Sequence, residues 1–286
     1  MSVATNLMDG QVVADSILEG ATKRVASIIE QSGVTPGLAT VLVGDDPASV
    51  TYTRMKRNRC KKVGIRPLKI ELPGDSTTTQ LVEKVQDLSS DPTVHGILLQ
   101  HPVPDQIDER AGFEAINPAK DVDGVTIHSF GSLSFDHPGF GACTAVGMMR
   151  LLEYYKVPLQ GAHAVVIGRS PIVGKPMAMM LLAQHATVTI CHSRTKDLPQ
   201  LVRQADVVVA AVGKSKFVQG DWIKQGAVVL DAGYNPGNIG DVDFDSASTR
   251  SSRITPVPGG VGPTTIACLI DQTSIAAARQ LGLNGL

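Results

Sequence analysis

The chain has 286 residues, 43% hydrophobic and 19% charged, with a formal net charge of −1. That balance excludes a strongly basic nucleic-acid binder or a polybasic membrane-surface protein, and the length fits one large or two medium globular domains. The sequence shows no leader pattern and no apolar run near ~18 residues, and its four scattered cysteines, Cys60, Cys143, Cys191 and Cys268, read as free thiols of a cytoplasmic protein.

Apolar runs alternate with helical patterns along the whole chain. Strands are expected at "LATVLVG" (38–44), "LKIEL" (68–72), "HGILLQ" (95–100), "AVVIG" (164–168), "TVTIC" (187–191), "DVVVAAV" (206–212) and "AVVLDAG" (227–233). Helices are expected over 11–32, 47–63, 77–90, 145–156, 172–184 and 263–281. Near-continuous Val/Ile/Leu strands between amphipathic helices indicate parallel sheets covered on both faces. The expectation is an α/β protein of two lobes with a ligand cleft between them. The stretch 121–141 lacks clear periodicity and takes the junction. The first lobe then covers 1–141 and is completed by the C-terminal helix, 263–286. The second, 142–262, is a Rossmann-like parallel sheet.

In the first lobe, "DDPASVTYTRMKRNRCKKVGI" (45–65) begins with a cap at Asp46 and Pro47 in the first turn. Six of the nine residues from Arg54 to Lys62 are basic, which is ordinarily a solvated helix face. At ~100° per residue, Ala48, Tyr52, Met55, Lys56 and Val63 share one sector, while Arg54, Arg57 and Lys61 point away. Tyr52 and Lys56 are one turn apart, so their heads can meet. Lys56 is thus expected on the half-buried side, where desolvation favours the neutral amine. Arg59 falls in the same sector without an account from periodicity.

The next strand ends at Gln100, where open α/β sheets bind ligands outside their carboxyl ends. A plain polar strand terminus is the competing reading, and His101 reads as wall. Asp121 and Asp123 in "NPAKDVDGV" are turn formers or ligand groups. The Gly/Pro run "ITPVPGGVGPTT" (254–265) lets backbone approach a flat ligand closely. No Ser-His-Asp arrangement and no zinc-ligand spacing is evident, so no metal is expected.

The second lobe opens with "HAVVIGRSPIVGKP" (163–176), a strand, a glycine turn and a helix start, but with Ser170 where G-x-G-x-x-G has its second glycine. Gly168 supplies the turn and Gly174 close helix packing; the first helical turn aims N–H groups at a pyrophosphate. Past the next strand, Cys191-His192-Ser193-Arg194-Thr195 has no carboxylate for a ribose 2′-hydroxyl. Arg169, Arg194 and a serine suit a 2′-phosphate instead. NADP is the expected coenzyme; the competing reading leaves both arginines as solvated surface.

Together and in order, "VGDDPASVTYTRMKRNRCKKVGI", "GILLQHPVP", "KDVDG", "VVIGRSPIVGKP", "ATVTICHSRT", "GDWIKQGAVVLDAGYN", "GDVDF" and "TPVPGGVGPTT" resemble the bifunctional methylenetetrahydrofolate dehydrogenase/methenyltetrahydrofolate cyclohydrolase family over essentially the whole chain. The resemblance implies NADP-dependent oxidation of 5,10-methylenetetrahydrofolate, then hydrolysis to 10-formyltetrahydrofolate, by a cytosolic homodimer. It puts the active-site lysine, tyrosine and glutamine on Lys56, Tyr52 and Gln100, and the pterin-binding aspartate on Asp123. Leu99, His101, Pro258, Gly259, Gly260, Val261 and Gly262 would line the folate. Gly168, Arg169, Ser170, Ser193, Arg194 and Tyr234 would meet the coenzyme. The chain departs from the family's pattern at His101-Pro102-Val103-Pro104, at Ala142 and Ala145, at Arg59 and at Tyr234. Three competing readings stay open on the sequence: a shikimate-type NADP dehydrogenase, a dehydrogenase that has lost the cyclohydrolase, and a non-catalytic NADP-binding protein.

Overall fold

The computed structural model describes residues 7–283, 285 and 286; the side chains of Ala48 and Tyr52 lie outside the described part. The chain divides into two compact units. One comprises Ser16–Gly141 with Leu269–Leu286; the other comprises Ala142–Cys268 with the described residues up to Asp15. The sequence boundary at 141/142 recurs, but the outer boundaries differ. They fall inside two long helices, α1 (Gly10–Ser32) and α10 (Val261–Gln280), whose periodicity runs on unbroken.

In the unit built on 16–141, β1 (Gly37–Val43) leads to α2 (Pro47–Val63), and β2 (Arg66–Leu72) to α3 (Thr78–Ser90) and β3 (Gly96–Leu99). These strands pair in parallel in the order β2-β1-β3. Central β1 is buried at every residue, as its unbroken apolar run requires, whereas β2 is partly exposed along the edge. Asp46 accepts the Ser49 N–H at 2.8 Å and starts α2; Gly64, at φ +89, ends it. Thr77 and Gln80 form a capping box on α3. The stretch 121–141 is not structureless: α5 (Ile127–Ser134) lies in it, and α4 (Glu109–Glu114) precedes it.

The other unit holds α6 (Cys143–Tyr154), β4 (His163–Ile167), α7 (Gly174–Ala183), β5 (Thr187–Cys191), α8 (Leu198–Val202), β6 (Val207–Ala210), β7 (Val228–Asp231), α9 (Phe244–Ser248) and β8 (Arg253–Ile254). Its parallel sheet runs β5-β4-β6-β7-β8, the Rossmann-like order, in which the chain reverses direction across the sheet between β4 and β6. Val165, Ile167, Val208 and Val229 lie in its core. Among the described residues no helix is long and apolar enough to cross a membrane, and no group of three or more His, Cys, Asp or Glu could hold a metal. The four cysteines are buried and in no disulfide.

Candidate active site

Helix α2 carries the first set of groups. Its buried stripe is Ser49, Thr53, Cys60 and Val63, a spacing of four, seven and three that keeps one face toward the core. Met55, expected in that stripe, is 48% exposed. The projection misplaced it because the buried turns present Ser and Thr, which an apolar count ignores. Arg54 and Lys61 are exposed, while Arg57, expected to point away, is half-buried, as is Arg59. Lys56 sits half-buried between Thr53 and Cys60. Burial pushes the Cys60 thiol up to about 12, only partly countered by a backbone hydrogen bond and by the Lys56 charge. The thiol is therefore protonated at neutral pH and no nucleophile.

Lys56 Nζ donates to Gln100 Oε1 at 3.0 Å. Gln100 is 7% exposed and its own backbone N–H continues the ladder to Val41 O at 2.8 Å. Its Nε2 donates to His101 O at 2.8 Å. A carbonyl can only accept, so this bond fixes the amide with Oε1 toward Lys56. The polar end of β3 is thus an oriented acceptor for the lysine. His101 is half-buried, edge-on to Phe113 with ring centroids 6.2 Å apart, and precedes a cis Pro102. Leu99 is a core residue at 1% exposed, with its side chain against Gly112, and presents no side chain for a ligand. The placement expected for the Tyr52 side chain lies outside the described residues.

The two aspartates of "KDVDG" separate into different environments. Asp121 is fully buried and accepts from the Val125 N–H (3.1 Å), the Thr126 N–H (3.0 Å) and hydroxyl (2.7 Å), and the Ser129 hydroxyl (2.6 Å). It locks the turn on which Asp123 stands. Asp123 is half-buried, and among the described residues its carboxylate meets no donor.

In the other unit, Gly168 ends β4 at φ +133, and a Cβ there would come within 2.2 Å of Ala211 O. A Cβ on Gly174 would come within 2.3 Å of Gly168 O. Only glycine lets the turn, the segment leaving β6 and α7 close up this far. Ser170 Oγ accepts the Val173 N–H at 3.1 Å and so shapes the entry to α7. Arg169, Ser193 and Arg194 are exposed at the carboxyl ends of β4 and β5, neighbours in the sheet. Tyr234 follows β7 and is 55% exposed, its hydroxyl bonded to Asn238. A glycine-tight turn into a helix, beside two exposed guanidiniums, fits a dinucleotide phosphate. In the 255–262 run, Pro258 and Gly262 are exposed, Gly259 has φ +103, and Gly260 and Val261 are buried. A side chain on Gly10 would strike Gly260 O, and the Gly10 N–H donates to Gly259 O at 2.8 Å.

Asp231 and Asp241 went unassigned in the sequence, although both stand in its quoted blocks. Each is buried and bonded only through contacts distant in sequence or across a turn. Such contacts leave no periodic trace.

Comparisons with known proteins bear on the family and the fold. Residues 8–123 match the tetrahydrofolate dehydrogenase/cyclohydrolase catalytic domain, and residues 142–281 its NAD(P)-binding domain. The chain is 64% identical over 277 residues to bifunctional protein FolD 1 of Streptomyces avermitilis, covering 97% of this chain and 96% of that one. It is similar to the crystal structure of the bifunctional methylenetetrahydrofolate dehydrogenase/cyclohydrolase FolD from Campylobacter jejuni, with TM-score 0.93, 43% identity and coverage of 96% and 98%. The Trypanosoma brucei dehydrogenase-cyclohydrolase, solved with NADP and an inhibitor, aligns with TM-score 0.92, 38% identity and coverage of 96% and 97%. On its sequence, its two matched domains and its fold, the chain belongs to the tetrahydrofolate dehydrogenase/cyclohydrolase family.

Proposed function

We propose that the protein oxidises 5,10-methylenetetrahydrofolate to the 5,10-methenyl compound with NADP and hydrolyses that product to 10-formyltetrahydrofolate. The observation that carries the reading is the Lys56–Gln100 hydrogen bond, with the amide turned by His101 O. When bound, NADP supplies the hydride acceptor for the first reaction. Gly168, Ser170, Arg169, Ser193, Arg194 and Tyr234 are the residues proposed to hold it, the arginines and Ser193 favouring the 2′-phosphate over a bare hydroxyl.

The oxidised carbon lies between two nitrogens whose lone pairs stabilise the cation, so the first reaction needs positioning more than acid or base. Asp123, whose carboxylate meets no donor among the described residues, is proposed to accept from the amino-pyrimidine edge of the pterin. The second reaction needs a proton moved. Water adds to the methenyl carbon, the bond from that carbon to N5 breaks, and the formyl group stays on N10. Lys56 Nζ is proposed to take one proton from the attacking water and pass it to N5, while the second leaves the carbinol hydroxyl to solvent as the formyl carbonyl forms and the cation's charge is lost, with Gln100 Oε1 holding the amine in place. Tyr52 is proposed to orient Lys56 and the folate, and the 258–262 run to lie along the folate ring. Lys56→Met should lower the cyclohydrolase rate by about a hundredfold or more, on the usual range for a general acid–base group. A full rate of methenyl decay in that variant would remove Lys56 from the reaction.

We also propose a cytoplasmic homodimer. Support comes from buried thiols outside any disulfide, and from two exposed apolar side chains, Ile190 of edge strand β5 at 38% and Leu182 of α7 at 54%. Light scattering that returned a monomer mass across micromolar concentrations would contradict it.

A further inference from the structure

β6 and β7 lie side by side, with Ala210 in register with Asp231. The segments that leave them, Ala211–Lys214 and Ala232–Asn238, share one partner in the "GDVDF" block. Asp241 has no exposed surface. Its Oδ2 accepts the Val212 N–H at 2.6 Å and the Gly213 N–H at 2.9 Å. Its Oδ1 accepts the Lys214 N–H at 2.8 Å and the Asn235 side-chain amide at 3.1 Å. Four donors fill the acceptor sites of one carboxylate. Asp231 in turn fixes Asp241: its Oδ1 accepts the Asp241 N–H at 3.0 Å, and its Oδ2 the Val242 N–H at 2.9 Å. A Cβ on Gly233 would sit 2.2 Å from the Asp241 carboxyl, and one on Gly240 2.0 Å from Asp231 Oδ2. Glycines stand where the two carboxylates need the space.

The residue next to this clamp is Ala211, whose carbonyl oxygen is the atom that Gly168 approaches at the end of β4. The clamp therefore sets the loop against which the glycine turn closes. We infer that Asp241 is a positioning residue for the coenzyme. It touches no ligand, but binds the loops after β6 and β7 into one rigid edge, so that the dinucleotide seat is formed before the ligand arrives. The inference rests on the assignment of this edge to NADP.

Asp241→Asn is nearly isosteric but offers one acceptor oxygen in place of two, and its amide hydrogens face the Val212–Lys214 donors. By calorimetric titration its NADP dissociation constant should rise about tenfold or more, one buried charge-assisted contact being worth that much. Hydrolysis of 5,10-methenyltetrahydrofolate, which consumes no coenzyme, should stay within about twofold in the same preparation. Asn235→Ala removes one donor and leaves the carboxylate. It also removes the Asn235 amide bond to Ile239 O at 3.1 Å, and should weaken NADP about threefold or more, one long bond to the carboxylate being lost, with the hydrolysis again unchanged. If both variants bind NADP as wild type does, the inference fails. It fails equally if hydrolysis and NADP binding fall together, which marks a purely structural role. If Asp241→Asn does not fold, Asn235→Ala decides alone. Wild-type protein that binds no NADP would overturn the coenzyme assignment itself, a distinct outcome.

Discussion

Asp231 at the end of β7 is 4% exposed, and its surroundings act on it in opposite directions. Burial, reinforced by the nearby Asp241 carboxylate, raises its pKa from 3.8 to about 6, although the N–H groups of Val242, Asp241 and Gly233 pull it down. A carboxyl whose pKa is higher in the folded state binds more protons folded than unfolded. Its contribution is present below the unfolded value and lost as pH rises through about 6. Relative to Asp231→Asn, the wild type should lose about 2 kcal/mol of stability between pH 4 and pH 7. Urea midpoints of the two proteins across that range would show it; parallel curves would contradict the raised value. At this scale the sequence was legible where a residue's place followed from a local pattern. Gln100 could be read because it ends an apolar strand, and Lys56 because it lies one helical turn from its neighbours. Asp121, Asp231 and Asp241 could not be assigned, because what defines them is a set of N–H donors brought together by the fold.

The elements show the same division by length. Helices of ten or more residues and strands with several consecutive β-branched residues were legible to within a few residues. The helices α4, α5, α8 and α9 were not, since five to eight residues make about two turns at most and give a 3.6-residue period nothing to repeat over. β8 has two residues and no pattern at all. The turn between β4 and α7 was legible from Gly168 and Gly174, even without a second glycine in the motif. Gly168→Ala tests that element. A Cβ at φ +133, 2.2 Å from Ala211 O, forces the turn or β6 to move. NADP affinity should fall by more than about tenfold, on the cost of strained backbone plus a misplaced phosphate loop. An unchanged dissociation constant would mean that the turn does not seat the coenzyme.

For the whole molecule, alternating strands and helices gave away two parallel sheets, and eight sequence blocks in order gave away the family. The outer unit boundaries were hidden, because they fall within continuous helices where composition and periodicity do not change. Of the residues that depart from the family pattern, His101 follows Gln100 and Arg59 lies on the same helix as Lys56, so the central claim is that one chain performs both reactions with NADP. The most direct measurement supplies purified protein with 5,10-methylenetetrahydrofolate and either NADP or NAD, and records reduced coenzyme and the methenyl chromophore together. The account predicts faster coenzyme reduction with NADP than with NAD, and a methenyl signal that decays faster than in buffer, including when methenyltetrahydrofolate is supplied alone. Reduced coenzyme with methenyl accumulating in equal amount, or preference for NAD, would contradict it.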